Sequence, residues 1–156
     1  MNDDVAVMDM AGHLIRRLHQ QSTHLFTQRT QAAGIDLTPV QFAALDAIHT
    51  HPGCDQSRVA ELIGYDRATI GGVIERMLHK GWINRITSAK DRRSREISLT
   101  TEGNHLLQAL RPVVKALQRD ILLPLDDAEQ AFFLHLMRRV VWASETTPKS
   151  APSETP

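Results

Sequence analysis

A short stretch of the chain concentrates basic side chains around a single acidic one. The basic residues are Arg85, Lys90, Arg92, Arg93 and Arg95, and the acid is Asp91. The chain as a whole is neutral at pH 7, with 18 basic and 18 acidic residues. Such a stretch is typical of a solvated surface, and in a neutral protein it is also typical of a surface that binds the phosphates of a nucleic acid.

Small and polar residues upstream of this stretch share one face of a predicted helix. The apolar residues of that helix repeat at helical spacing, at positions 70, 73, 74, 77 and 78. The outer face carries Arg67, Ala68, Thr69, Gly72 and Arg76. A helix that enters the major groove of B-DNA needs an outer face of small side chains and hydrogen-bonding groups. We therefore predict that these five residues contact DNA.

Further candidate residues begin the preceding helix. Asp55 is a predicted N-cap, and Gln56 and Ser57 follow it in the first turn. Backbone N–H groups at a helix N-terminus favour the binding of a phosphate. The complete set of predicted DNA-binding residues is Gln56, Ser57, Arg67, Ala68, Thr69, Gly72, Arg76, Lys90, Arg92, Arg93 and Arg95.

The elements that would position these residues follow from apolar periodicity and from capping signals, with Thr38, Asp55 and Asp66 as predicted N-caps. Helices are predicted at 9–33, 39–51, 56–63, 67–80, 100–123 and 126–143, and strands at 82–87 and 95–99. Pro112 is expected to bend its helix or to interrupt one hydrogen bond. A short helix, a tight turn, an amphipathic helix and a hairpin with a basic tip describe a winged helix-turn-helix. The predicted fold is therefore mainly α with a small two-stranded β-wing.

Several segments of the chain resemble the MarR family of transcriptional regulators. Residues 37–45 (LTPVQFAAL) resemble its second helix, and residues 59–64, 68–70 and 74–77 resemble its two DNA-reading helices. Residues 81–83 (GWI) and 91–100 (DRRSREISLT) are similar to its wing signature, and residues 101–103 continue the match. The resemblance covers about residues 10–143. It implies a mostly helical homodimer, and it implies that Asp91 pairs with Arg93 and leaves Arg92 or Arg95 to contact DNA.

The resemblance also implies a division of the chain into parts. Residues 9–36 and 100–143 are expected to form dimerisation helices around the winged helix-turn-helix at 37–99. We expect residues 1–8 to be a flexible N-terminus and residues 144–156, rich in Ser, Thr, Pro and Glu, to be a disordered tail. No apolar run approaches the roughly 18 residues of a membrane span, and the acidic N-terminus is unlike a signal peptide. We expect a soluble cytoplasmic protein without a membrane partner.

Residues 12–22 resemble the start of family members that respond to aromatic acids of the benzoate type. The resemblance implies that Arg16 grips the carboxylate of such an effector. A histidine often stands at the position of Ser22 in those members, so the contact with a ring hydroxyl falls to Ser22 or to His19. His13 of a partner chain is a further candidate. The expected function is a repressor that binds a double-stranded, pseudo-palindromic operator and that the aromatic acid releases.

Three alternative functions remain open at this point. Eight histidines leave a metal sensor as one alternative, although they lack tight metal-ligand spacing, and the single Cys54 leaves an oxidant sensor as another. A winged helix can also serve as an interaction module without DNA, but the basic wing favours DNA. No nucleophile–base pair or phosphate loop is present in the sequence, so we predict no enzymatic activity, no catalytic residue, no metal site and no cofactor.

Overall fold

The computed structural model describes residues 6–87 and 95–143 of the chain. The described residues form a 3₁₀ turn at Val7–Asp9, six helices and two strands. The elements are α1 (Ala11–Ala32), α2 (Pro39–Thr50), α3 (Gln56–Ile63), α4 (Arg67–His79), β1 (Ile83–Thr87), β2 (Arg95–Leu99), α5 (Thr101–Ile121) and α6 (Asp127–Ala143). The prediction of a mainly helical fold with a two-stranded wing is confirmed. The chain divides into two compact units, Met1–Ile121 and Leu122–Pro156.

Helices α2 and α3 begin at the caps that the sequence predicts. The N–H of Gln41 donates to the Thr38 hydroxyl at 3.3 Å, and the N–H of Thr38 donates to the Gln41 side chain at 3.0 Å. These reciprocal bonds are a capping box, and Pro39 occupies the first helical position. The Asp55 side chain accepts from the N–H of Arg58 at 2.8 Å and starts α3.

The predicted boundaries are accurate to within a few residues. Helix α1 begins at Ala11 rather than at residue 9, because Val7–Asp9 forms a separate turn and Met10 is extended. Strand β1 begins at Ile83, one residue later than predicted, and β2 matches its prediction. Pro112 does not end α5, which continues as a helix on both sides of it. The tail at 144–156 and most of the N-terminus at 1–8 lie outside the described residues.

The first unit is built on one apolar core. The buried stripe of α4 packs with residues of α2, α3, β1, β2 and α5. The largest fully buried apolar side chains are Leu45, Val59, Ile70, Val73, Ile74, Met77, Ile83, Ile97, Leu107, Leu110 and Leu117. The two strands are antiparallel, and Arg85 of β1 stands opposite Ile97 of β2. This core fixes α3, α4 and the wing to one another.

The wing passes into α5 without a linker, at a segment that we call the wing–α5 junction (residues 99–103). Strand β2 ends at Leu99, and the Thr100 hydroxyl accepts from the N–H of Gly103 at 2.9 Å. That hydroxyl lies 2.7 Å from the Gly81 carbonyl, to which it donates, and the N–H of Thr100 donates to the Trp82 carbonyl at 3.0 Å. The start of α5 is therefore hydrogen-bonded directly to the start of the wing.

The second unit contains α6, which begins at a capping box. The Asp126 side chain accepts from the N–H of Glu129 at 2.9 Å, and the Glu129 carboxylate accepts from the N–H of Asp126 at 3.0 Å. No described residue of α6 is buried in the chain. Its large exposed apolar side chains are Phe132, Leu134, Leu136, Met137, Val140, Val141 and Trp142. An apolar face of this size is more than a lone surface helix needs.

Candidate nucleic-acid interface

Asp66 fixes the N-terminus of α4, the predicted recognition helix. One carboxylate oxygen accepts from the N–H of Thr69 at 2.8 Å, and the other accepts from the Thr69 hydroxyl. The bond from the Thr69 hydroxyl has the largest effect in lowering the pKa of the Asp66 carboxyl, and the bond from the Thr69 N–H lowers it further. The cap holds the Thr69 side chain at the start of the exposed face of the helix.

The outer face of α4 is exposed and includes small residues that let the helix backbone approach another molecule, as its sequence predicts. Arg67, Ala68, Thr69, Gly72 and Arg76 are all exposed, whereas Ile70, Val73, Ile74 and Met77 on the other face are buried. A Cβ added at Gly72 would lie 3.5 Å from Nη1 of Arg76. The guanidinium of Arg76 therefore lies back along the helix, over the surface that Gly72 leaves open. The structure brings these five predicted residues together on one surface.

The two predicted residues at the start of α3 differ in exposure. Ser57 is exposed, but Gln56 is only partly exposed, and its side-chain oxygen accepts from Nη2 of Arg85 at 3.3 Å. The same Nη2 atom lies 2.9 Å from Oε1 of Glu75 on α4. Arg85 belongs to the basic stretch but is not among the predicted site residues. Gln56 and Glu75 are far from Arg85 along the chain, so no short sequence pattern predicts this contact. It forms because β1 packs near α3 and α4.

Only part of the predicted wing contact can be placed. Arg95 is exposed at the first position of β2, opposite Thr87. Lys90, Arg92 and Arg93, with the predicted Asp91–Arg93 pair, lie outside the described residues. Of the predicted wing contacts, the described residues therefore include Arg95, at the first position of β2.

The predicted effector residues of α1 fall into two groups. His19 is exposed and lines a shallow groove with Gln20, Thr23, His24 and Thr27. Arg16 is exposed and donates from Nη1 to the side-chain oxygen of Gln20 at 3.1 Å, so one groove residue holds it. His13 and Ser22 are partly exposed and do not line this groove. The groove residue Gln20 thus links Arg16 to the groove that His19 lines.

The thiol of Cys54 is buried in the core of the first unit. Burial raises its pKa, and the neighbouring Asp55 carboxylate adds to the rise. A raised pKa disfavours the thiolate, which is the form that reacts with oxidants. Among residues 6–87 and 95–143, no group of three or more His, Cys, Asp or Glu side chains is placed to hold a metal ion. No helix in that part of the chain is long and apolar enough to cross a membrane.

Comparison with known proteins identifies the family of this winged helix. The model of the MarR family matches residues 37–94. The HTH-type transcriptional repressor NicR of Pseudomonas putida is 30% identical over 92% of this chain and 90% of its own length. The structure of the PcaV transcriptional regulator of Streptomyces coelicolor, in complex with its natural ligand, is 33% identical with a TM-score of 0.81, over 90% of this chain and 97% of PcaV.

A third relative is regulated by a small aromatic molecule. The structure of Bordetella bronchiseptica BpsR, whose DNA binding is regulated by 6-hydroxynicotinic acid, is 27% identical with a TM-score of 0.81. It matches 88% of this chain and 96% of BpsR. The proteins that the chain resembles are regulators rather than enzymes, as predicted. Together with the capped recognition helix and the wing, these matches show that the chain is a transcriptional regulator of the MarR family.

Proposed function

We propose that this regulator is a cytoplasmic homodimeric repressor that leaves a pseudo-palindromic operator when a small aromatic carboxylate binds at α1. The observation that carries the proposal is the outer face of α4. This face is exposed and bears Arg67 and Arg76. The small residues Ala68 and Gly72 let its backbone approach another molecule closely. Such a face suits the major groove, where arginine side chains bond to the edges of guanine or to phosphates.

Exposed apolar side chains support the homodimer. They occur on α6 and at the start of the chain, where Met10, Leu14 and Ile15 are each about half exposed or more. A second copy of the chain would remove such faces from water, and a two-fold dimer would present two copies of α4 to successive major grooves. This arrangement requires an operator with two related half-sites about one helical turn apart, about 34–36 Å.

The effector proposal rests on the chemistry of α1. Arg16 offers a planar guanidinium, which suits a carboxylate, and His19 with the threonines of the groove offers groups that suit a ring hydroxyl or a ring nitrogen. PcaV was solved with its natural ligand, and the DNA binding of BpsR is regulated by a hydroxylated pyridine carboxylic acid. A similar effector for this chain would have to bind one conformation of the dimer better than the other in order to shift DNA binding.

Fluorescence anisotropy with labelled DNA from upstream of the gene tests the DNA-binding part. We expect tight binding that weakens as salt rises, because phosphate contacts release counterions. Arg76→Ala should weaken binding, whereas Arg119→Ala, which removes the same charge from an exposed site on α5, should not. Equal affinities for these two variants would contradict the assignment of the interface to α4.

The effector part is tested with the same assay and a panel of benzoates, hydroxybenzoates and 6-hydroxynicotinic acid. We expect at least one acid to release wild-type protein from DNA and to have no effect on Arg16→Ala. Arg17→Ala is the matched control, because Arg17 is the adjacent exposed arginine of α1, and it should respond as wild type does. If no acid changes binding, or if both variants respond equally, the effector site on α1 is wrong.

A further inference from the structure

Arg85 joins three elements of the DNA-binding region through a single nitrogen atom. Its Nη2 lies 2.9 Å from a carboxylate oxygen of Glu75 on α4 and 3.3 Å from the amide oxygen of Gln56 on α3. Arg85 itself is in the middle of β1. We call Arg85, Glu75 and Gln56 the wing-root cluster. The arginine side chain is only 26% exposed, whereas Glu75 is 64% exposed, so the cation is held against the protein and the anion faces outward.

The negative charge of Glu75 is unfavourable on the surface that we propose to bind DNA. It is exposed and adjacent to Arg76, on the outer side of the recognition helix. A carboxylate there would repel the phosphates of a bound duplex. An arginine that holds the carboxylate at hydrogen-bonding distance cancels most of that repulsion, and the local charge that the duplex meets is then set by Arg67 and Arg76.

Gly71 makes room for the third member of the cluster. A Cβ at position 71 would lie 3.3 Å from Nε2 of Gln56, closer than most side-chain contacts. The amide of Gln56 therefore rests against the backbone of α4, while its oxygen bonds to Arg85. The side chain of Gln56, predicted from sequence to contact DNA, is used to join α3 to the wing.

We propose that Arg85 is a positioning residue for DNA binding, because its guanidinium neutralises the Glu75 carboxylate on the recognition helix. This role rests on the proposed DNA interface. It differs from that of a basic residue that touches a phosphate, because the partner of the guanidinium is a carboxylate of the protein itself. Removal of that carboxylate should then make the guanidinium dispensable.

The test is a set of variants measured by anisotropy on operator DNA at several salt concentrations. We expect Arg85→Ala to weaken binding roughly 3- to 10-fold, since it leaves Glu75 unpaired near phosphates. The double variant Arg85→Ala with Glu75→Gln should return to within about twofold of wild type, and its dependence of affinity on salt should return to the wild-type slope. Arg85→Gln is the substitute if the alanine variant does not fold.

A phosphate contact by Arg85 predicts a different pattern. The single and double variants would then bind equally weakly, and both would lose about 0.9 from the slope of log affinity against log salt. That result would overturn the proposal. Arg17→Ala serves as the matched control, because it removes the same charge from an exposed site on α1, outside the wing-root cluster, and should leave affinity unchanged. Absence of any binding by wild-type protein would instead refute the DNA interface itself, together with this role for Arg85.

Discussion

Gly103 lies against the main chain of Trp82, where α5 leaves the wing. A Cβ at position 103 would lie 1.9 Å from the carbonyl oxygen of Trp82, and that oxygen cannot move away because it accepts from Thr100. We expect Gly103→Ala to lower the free energy of unfolding by roughly 1–3 kcal/mol, as overpacking does in other cores. Urea denaturation followed by circular dichroism measures the change. Gly12→Ala is the control, since nothing lies within 4 Å of its added Cβ, and equal stability of the two variants would contradict the close contact.

Asp66 gives the stability of the protein a specific dependence on pH. Its bonds from Thr69 lower the pKa of the carboxyl in the folded state, below the ordinary value of about 3.9. The stabilisation is therefore fully present above that value and is lost as the pH falls through the folded pKa. We expect the thermal midpoint of wild type to fall more than that of Asp66→Asn between about pH 5 and about pH 2, because asparagine caps the helix without ionising. Parallel curves for the two proteins would show that Asp66 contributes nothing to the acid response.

Single residues also show which features a sequence can predict. The caps Thr38, Asp55 and Asp66 were predicted because an N-cap bonds to a backbone group three residues away. The wing-root cluster was not predicted, because Arg85 is 29 residues from Gln56 and only the packed wing brings them together. The close contact at Gly103 was missed for the same reason, since its partner Trp82 belongs to a different element.

Helix α4 shows at the scale of an element how stability and recognition differ. Gly72 lowers the propensity of the helix, and alanine would raise stability by up to about 1 kcal/mol, since its Cβ would meet only the end of Arg76 at 3.5 Å. The same methyl group would stand on the surface proposed to face DNA. We therefore expect Gly72→Ala to melt at a higher temperature and to bind operator DNA more weakly. A variant with unchanged or tighter binding would remove Gly72 from the interface, and Gly12→Ala should change binding in neither direction.

The elements themselves were predictable because α4 has a buried stripe and an exposed face in strict helical period. The errors lie at ends. Helix α1 begins two residues after its predicted start, since Val7–Asp9 forms a separate 3₁₀ turn and Met10 is extended. Pro112 was expected to bend α5 or to interrupt one hydrogen bond, and the helix continues on both sides of it. Tertiary packing of buried residues on both sides of the proline, such as Leu110 and Leu117, holds the helix together.

The whole molecule has more exposed apolar surface on α6 than a lone chain requires. Val140 is 69% exposed, and Ala131 lies on the opposite side of the helix at about 100° per residue. If α6 packs against a second copy, Val140→Asp should shift the protein from dimer to monomer and weaken operator binding. Ala131→Asp adds the same charge away from the apolar face and should change neither property. Light scattering coupled to gel filtration measures the mass, and a dimeric Val140→Asp variant would contradict the role of this face.

The prediction of the whole site is less complete than that of the fold. Short sequence patterns predict the basic wing and the small outer residues of α4. The effector site instead depends on which side chains meet in the assembled protein. Gln20 lines the groove beside His19 and bonds to Arg16, whereas His13 and Ser22 do not line it. A partner chain would be needed to enclose such a shallow groove, and sequence periodicity contains no information on that enclosure.

The wing–α5 junction has a mechanical consequence for the regulator. Strand β2, the cap Thr100 and the first turn of α5 follow one another without an intervening loop, and the cap is bonded to Gly81 and Trp82 at the other edge of the wing. Such a junction couples a rotation of α5 to a rotation of the two strands, because no flexible loop lies between them. A tilt of α5, the 21-residue helix that packs against α1, would therefore carry β1 and β2 with it.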